Sequence, residues 1–175
     1  RFVDAGIIGP PPRPGARTRF YASGVHTEAM LALNNRGLDV VDLHGPSGQA
    51  SGFKMCYAAL TKGLTALCTE LLTAAQALGI SEPLAEELRT SQGELYARIE
   101  SGIPAMLPKA KRWVGEMEEI ADTFGALGLT PDMLRGAAAM YRLVTQSALA
   151  DRTPEDPRPL PSLDETIAAL ARSLS

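Results

Sequence analysis

The chain has 175 residues, of which 45% are apolar, and its formal net charge is −3 at pH 7. This weakly acidic balance argues against nucleic acid and against an anionic membrane as partners, because binding to phosphate requires a basic surface. No apolar stretch reaches the roughly 18 residues that a membrane-spanning helix needs. The two cysteines, Cys56 and Cys68, share one apolar helical pattern, so we expect reduced core thiols in a cytoplasmic protein.

The N-terminal part of the chain predicts the tail of an α/β sheet. The strand candidates are the apolar run 2–9, the aromatic run 18–24 and the apolar run 38–45. A Pro/Gly loop at 9–15 closes the first strand, and a short helix capped by Thr27 links the second strand to the third. Strand, strand, helix and strand in this order are typical of the end of an α/β sheet.

From residue 52 the apolar residues recur with a helical period. A long helix is predicted over about 52–79, on the spacing of Phe53, Cys56, Leu60, Leu64, Leu67, Leu71, Ala75 and Leu78. Further helices are predicted to residue 149, followed by a proline-rich linker at 151–161. A last short helix follows, with Ser162 and Glu165 as a capping box. The chain is therefore predicted to be mostly α-helical.

A glycine- and serine-rich loop at 45–55 leads to a single lysine, Lys54, at the head of the long helix. A cation is disfavoured near a helix N-terminus, where the dipole is positive, and the apolar residues that follow Lys54 predict a sheltered position. A lysine whose charge is disfavoured is suited to proton transfer near pH 7. A surface lysine at a helix start is the alternative.

Three segments together carry a resemblance to a known family: "FVDAGIIGPPP", "ASGFKMCYAALTKG" and "KRWVGEMEEIADTFGALGL". The chain resembles the β-hydroxyacid dehydrogenase and 6-phosphogluconate dehydrogenase superfamily over nearly its whole length. Within it, the chain is most similar to the branch of NAD(P)-dependent oxidoreductases that have a distinct phosphogluconate-dehydrogenase-like helical C-terminal domain.

The resemblance implies that 1–50 are the C-terminal end of a Rossmann-type NAD(P)-binding domain and that 51–175 are a helical substrate and dimerisation domain. Because the chain starts with Arg1 in front of an apparent central strand, we expect it to be the second part of a longer polypeptide. The glycine fingerprint that binds the dinucleotide, G-x-G-x-x-G, does not occur in these residues. The resemblance implies NADP or NAD as cofactor, a homodimer formed through the helical domain, a small-molecule substrate and no metal.

The resemblance also implies roles for individual residues. Lys54 takes the position of the family's catalytic lysine, which acts as general acid/base toward the substrate hydroxyl or carbonyl. The implied cofactor contacts are Gly6 and Ser51. The implied substrate contacts lie on the first strand, the loop, the long helix and a later helix: Ile8, Gly9, Pro10, Gly48, Tyr57, Ala58, Arg112 and Glu116.

Several positions depart from the family pattern. Ile8 replaces a serine, Ala58 replaces an asparagine, and a second lysine falls on Gly115-Glu116, where Arg112 one turn earlier can supply the charge. These losses predict a substrate other than a simple 3-hydroxy acid and a more apolar pocket, to which Ile8, Tyr57, Trp113 and Met117 can contribute. They leave two alternatives to a dehydrogenase open: a non-catalytic helical dimerisation fragment and an imine-reductase-like enzyme.

Overall fold

The computed structural model describes residues 2–11 and 18–174, which form two compact units, Arg1–Ala58 and Ala59–Ser175. The first unit contains the sheet and the second is helical. The predicted fold class, a mostly α-helical chain that begins with the tail of an α/β sheet, is confirmed. Most of the predicted Pro/Gly loop at 9–15 lies outside the described residues.

The sheet of the first unit has three strands, β1 (Asp4–Ile8), β2 (Arg19–Ser23) and β3 (Asp39–Asp42). The central strand β2 pairs antiparallel with β1 and parallel with β3. Each strand lies inside the run that predicted it. The antiparallel register sets Asp4 opposite Ser23, so the start of β1 and the end of β2 share one edge of the sheet.

A short helix, α1 (Glu28–Leu31), continues into a 3-10 turn and links β2 to β3. Thr27 precedes α1 but makes no side-chain cap, so that part of the prediction is wrong. Its hydroxyl instead donates to the Asp42 carboxylate at the end of β3. This charge-assisted hydrogen bond connects the start of α1 to the end of β3.

The long predicted helix is α2 (Gln49–Ala77), whose residues are divided between the two units. The second unit continues with helices that the apolar period also predicted: α3 (Ser81–Ser91), α4 (Gly93–Met106), α5 (Ala110–Ala126), α6 (Asp132–Gln146) and α7 (Leu163–Ala171). Its fully buried large side chains come from α4 to α7: Ile103, Met106, Met117, Tyr141, Val144 and Leu170. The predicted capping box at Ser162 and Glu165 starts α7.

The proline-rich segment before α7 is fastened by its own charges. The Arg152 guanidinium pairs with Asp156 at 3.5 Å and donates to the carbonyl oxygens of Arg158 and Pro159. Arg158 in turn donates to Asp156. The segment is therefore an ordered loop and not a freely moving linker.

The carboxylate of Asp4 joins the first strand to the head of α2. Asp4 is buried and accepts hydrogen bonds from the hydroxyl and backbone amide of Ser51, the hydroxyl of Ser23 and the amide of Gly48, at 2.6 to 3.1 Å. Burial raises the pKa of this carboxyl, but these hydrogen bonds outweigh it and lower the pKa to about 2. The Ser23 hydroxyl also accepts from the Ala50 amide, so the first amides of α2 are satisfied by β1 and β2.

We predict that Asp4→Asn destabilises the protein by about 2 kcal/mol at pH 7, because it removes the charged acceptor of a buried network. The pKa of Asp4 is lower in the folded chain than its usual 3.8, so the carboxylate stabilises the fold fully above about pH 5 and this contribution disappears as the pH falls toward 2. The stability difference between wild type and variant should shrink over that interval. Urea unfolding at a series of pH values measures it.

The matched control is Asp39→Asn on β3. The Asp39 side chain is 62% exposed and only pairs with Arg19 at 3.6 Å, so its loss should change the stability by less than about 0.5 kcal/mol. Equal effects of the two substitutions would contradict the role given to Asp4.

Candidate functional site

Lys54 lies in the second turn of α2, and it is exposed. Cys56 and Tyr57 on the same helix are exposed too, while Ala58 is buried. The predictions that Lys54 is sheltered and that Cys56 is a core residue are therefore both wrong. Only part of the circumference of α2 contacts the sheet, and the apolar period alone does not tell which part.

The charge at the head of α2 also differs from the expectation. A helix N-terminus repels a cation because its amides point outward unpaired. Here Asp4 places a full negative charge on the amides of Gly48 and Ser51. This charge offsets the positive end of the helix dipole in the same first turn that precedes Lys54.

Gly6 allows β1 to approach α2 closely. A Cβ atom on Gly6 would lie 2.6 Å from the backbone oxygen of Ala50 and 3.1 Å from the Cβ of Lys54. No side chain fits there without a shift of the backbone. The base of Lys54 is therefore held against the strand, while its end reaches solvent.

The two predicted cofactor contacts, Gly6 and Ser51, both have structural contacts in the first unit. Gly6 lies where β1 packs closely against α2. Ser51 donates hydrogen bonds to Asp4 from both its hydroxyl and its backbone amide. The N-terminal amides of α2 are thus already paired with the protein's own carboxylate. A cofactor role for either residue stays a prediction.

The predicted substrate contacts of the first unit lie at the end of β1 and around Lys54. Ile8 is half-buried, and Gly9, Pro10 and Gly48 are exposed. Gly9 and Gly48 have positive φ angles of 121° and 103°, which favour glycine at both turns. Tyr57 is 48% exposed. These residues leave polar backbone and one phenol accessible, and their contact with a substrate stays a prediction.

The predicted residues of the second unit, Arg112 and Glu116, form an ion pair at 3.1 Å on α5. Glu116 also pairs with Lys62 of α2, a residue that the sequence did not single out. The Arg112 side chain is 70% exposed, whereas that of Lys62 is only 16% exposed. Lys62 is therefore the better sheltered of the two cations that share Glu116.

Two aromatic residues complete this cluster. The rings of Trp113 and Tyr141 meet edge to face with centroids 5.3 Å apart, and the Tyr141 hydroxyl donates to the backbone oxygen of Lys62 at 2.6 Å. Burial, and then the charge of Glu116, raises the pKa of Tyr141 well above its usual value. Met117 is fully buried and belongs to the helix core, not to a pocket.

Asp4 and Lys62 are the residues that sequence reasoning missed. Asp4 is 47 residues from Ser51, and Lys62 is 54 residues from Glu116, so no local spacing connects the partners. A signal did exist for each: an acidic residue within an apolar strand, and a lysine within an apolar helix. Either requires a partner if it is buried.

Within the described ranges, 2–11 and 18–174, no three His, Cys, Asp or Glu side chains are grouped so that they could hold a metal ion. Over the same ranges, no helix combines the length and the apolar character that crossing a membrane requires.

Comparison with known proteins gives a family model for part of the chain. The model described as Domain of unknown function (DUF1932) matches residues 75–144, from the end of α2 to near the end of α6. A curated relative, an uncharacterized 28.5 kDa protein in the 7S RNA 5′ region of Methanothermus fervidus, is 25% identical over 147 residues. That match covers 83% of this chain and 57% of the relative.

Two solved structures are similar. One is a conserved protein of unknown function, described as revealing structural similarity with 3-hydroxyacid dehydrogenases. It is 33% identical, with a TM-score of 0.70 over 83% of this chain and 56% of the other. The second, a conserved hypothetical protein from Sinorhizobium meliloti 1021, is 24% identical, with a TM-score of 0.76 over 98% of this chain and 57% of the other.

The chain thus spans a little over half the length of the relatives that it matches. The predicted resemblance to the β-hydroxyacid dehydrogenase and 6-phosphogluconate dehydrogenase-like superfamily is confirmed. The DUF1932 match lies in the helical part of the chain, and the likeness to solved structures covers the sheet as well.

The contact at Gly6 gives a stability prediction. Gly6→Ala should destabilise the protein by about 2 kcal/mol, because the new methyl group overlaps the backbone oxygen of Ala50. Gly52→Ala on α2 is the matched control, since a Cβ there meets nothing within 4 Å. It should leave the stability unchanged or raise it by up to about 1 kcal/mol. Thermal unfolding, followed by circular dichroism, compares the stabilities of the two variants. Equal stabilities would contradict the close packing of β1 against α2 at Gly6.

Proposed function

We propose that the protein is an NAD(P)-dependent oxidoreductase, which transfers a hydride between the nicotinamide and a hydroxy acid or related carbonyl compound. Lys54 is its general acid/base. The observation that carries the proposal is the placement of Lys54, with its base held against Gly6 of β1 and its side chain exposed. Similarity to a protein that resembles 3-hydroxyacid dehydrogenases supports it.

Lys54 has the chemistry that this reaction needs from the protein. When an alcohol is oxidised, its hydroxyl proton must leave, and when a carbonyl is reduced, its oxygen must receive a proton. An amine on a flexible stem can do both at the same oxygen atom. The tight strand–helix approach fixes the Cβ of Lys54, so the mobile part of the side chain is the part that carries the proton.

The described residues do not fit the phosphates of a dinucleotide. A helix N-terminus binds phosphate through unpaired amides. At the head of α2, the amides of Gly48 and Ser51 donate to Asp4, and the amide of Ala50 donates to Ser23. The proposal therefore requires a cofactor site that is formed by residues other than these.

The proposed substrate is larger or less polar than a simple 3-hydroxy acid. Ile8 and Ala58 occupy positions at which the resembled family has polar side chains. Ile8 is half-buried, so its side chain presents apolar surface beside the exposed Gly9 and Pro10. Arg112 and Glu116 of the second unit are also proposed to bind the substrate.

The proposed partner is a second copy of the chain, bound through the second unit. An apolar groove of about 750 Å³ is lined by α2, α6 and the turn before α6. Leu60, Leu67, Leu129 and Met133 on it are 57 to 80% exposed. Small residues such as Gly63 and Gly136 also line the groove, so the surface combines long and short side chains, which a self-complementary interface can use.

This groove also favours a second candidate function, a dimerisation module without catalysis. In that reading the exposed leucines are the functional residues, and Lys54 is an ordinary surface lysine. The imine-reductase-like alternative is the less favoured one, because Lys54 is retained and exposed.

A turnover assay tests the role of Lys54. Lys54→Met should lower turnover by about 100-fold or more, the scale of general acid/base catalysis, without loss of stability. The measurement is NAD(P)H absorbance with a panel of hydroxy acids and keto acids. Lys111→Met on α5 removes an exposed lysine from the other unit and should have wild-type activity. Full activity of the Lys54 variant would contradict its role, and no turnover by the wild type, assayed in a polypeptide that also carries the cofactor site, would favour the module without catalysis.

Sedimentation velocity tests the dimer. Leu67→Glu should convert the dimer to a monomer, because it places a charge in the apolar groove. Leu78→Glu is the control, since Leu78 on the same chain segment is 72% exposed and does not line the groove. A monomeric wild type, or a dimer that survives the Leu67 substitution, would contradict the proposed interface.

A further inference from the structure

The indole of Trp113 in the second unit is surrounded by positive charge. The ammonium group of Lys62 lies 5.5 Å from the ring centroid and that of Lys109 lies 5.8 Å from it. Arg112 is the preceding residue on the same helix. A single ammonium group over an aromatic face is a common stabilising contact. Here two ammonium groups lie at one ring, which concentrates positive charge around it.

The carboxylates present do not balance these cations. Glu116 is shared by Lys62 and Arg112, and Lys109 has no ion pair with any described residue. The cluster thus has three cations and one carboxylate. Lys62 and Glu116 are largely sheltered from solvent, with side chains 16% and 27% exposed, so water screens this excess less than at an open surface.

The cluster is partly rigid and partly open. Lys62 is held by Glu116, and its backbone oxygen accepts from the buried Tyr141 hydroxyl. In contrast, Lys109 is exposed and the Arg112 side chain is 70% exposed. A fixed cation beside two accessible ones allows a small ligand to reach the charge without a rearrangement of the helices.

An unsatisfied donor points to the same place. The Nε1 atom of Trp113 is buried and has no hydrogen-bond partner among the described residues. Such a group costs about 1–3 kcal/mol, and the few that native proteins keep are enriched where a function compensates for them. The unpaired Nε1 therefore adds a polar donor to the surroundings of the cations.

We infer that Lys62, Lys109 and Arg112 around Trp113 form a binding site for an oxyanion, the carboxylate or phosphate group of a small molecule. Glu116 acts as the internal competitor, which occupies Lys62 and Arg112 until the ligand arrives. The inference deepens the proposed function and rests on it for Arg112 and Glu116, which are substrate-binding proposals there, although the charges of the site need neither Lys54 nor a nicotinamide.

The site contains its own probe, because Trp113 is the only tryptophan of the chain. Its emission should change saturably when the protein is titrated with inorganic phosphate or with acetate, with chloride keeping the ionic strength constant. A change with phosphate alone assigns the site to phosphate groups, and a change with both assigns it to oxyanions in general. No saturable change with either anion overturns the inference.

Substitutions separate a site from a general charge effect. Lys109→Met and Lys62→Met should each weaken binding by about tenfold, the loss of one charged hydrogen-bond donor. Glu116→Gln should tighten binding, because it removes the competitor. Lys109 is exposed, so its variant is informative even if the Lys62 variant unfolds.

Lys111→Met is the matched control, because it removes the same charge from the same helix but does not contact the indole. It should bind as the wild type does. Equal weakening by the Lys109 and Lys111 substitutions, or an unchanged affinity in Glu116→Gln, would overturn the site. These titrations contain no nicotinamide cofactor and do not involve Lys54. Their failure would therefore remove the proposed substrate contacts at Arg112 and Glu116, but not the proton-transfer role proposed for Lys54, which the turnover assay tests separately.

Discussion

The buried carboxylate of Asp4 determines how the first unit is arranged. It accepts hydrogen bonds from Ser23 on β2 and from Gly48 and Ser51 at the head of α2, so one side chain connects the sheet to the long helix. An uncompensated charge in this position would be costly. The hydrogen bonds compensate it so fully that burial fails to raise the pKa of Asp4, which is lowered to about 2.

This connection decides which groups are left for chemistry. The backbone amides at the start of α2 donate their hydrogen bonds to Asp4 and Ser23. They are therefore not available to bind an external anion, as the amides of a helix N-terminus usually are. Lys54, one turn further along, keeps an accessible side chain on a fixed base. In the second unit, charge is instead left in excess around Trp113. The chemistry proposed for the two units thus differs: proton transfer by Lys54 in the first and anion binding by a cationic cluster in the second.

Local signals in the sequence predicted the elements well. The strands follow from short apolar and aromatic runs, α2 follows from its apolar period, and the capping box of α7 follows from the spacing of Ser162 and Glu165. The polar partners were not predictable in this way, because Asp4 and Ser51 are 47 residues apart. Thr27 shows the same limit, since its hydroxyl donates to Asp42, which lies 15 residues away in the sequence.

The central claim is that an ionised Asp4, rather than an external anion, closes the head of α2 and leaves Lys54 as the accessible group. An NMR titration that follows the side-chain carboxyl carbon of Asp4 tests it most directly. We expect a pKa of about 2, with chemical shifts of the Gly48 and Ser51 amides that titrate together with it. A pKa near the usual 3.8, with these amides unaffected, would show that Asp4 does not hold the head of α2.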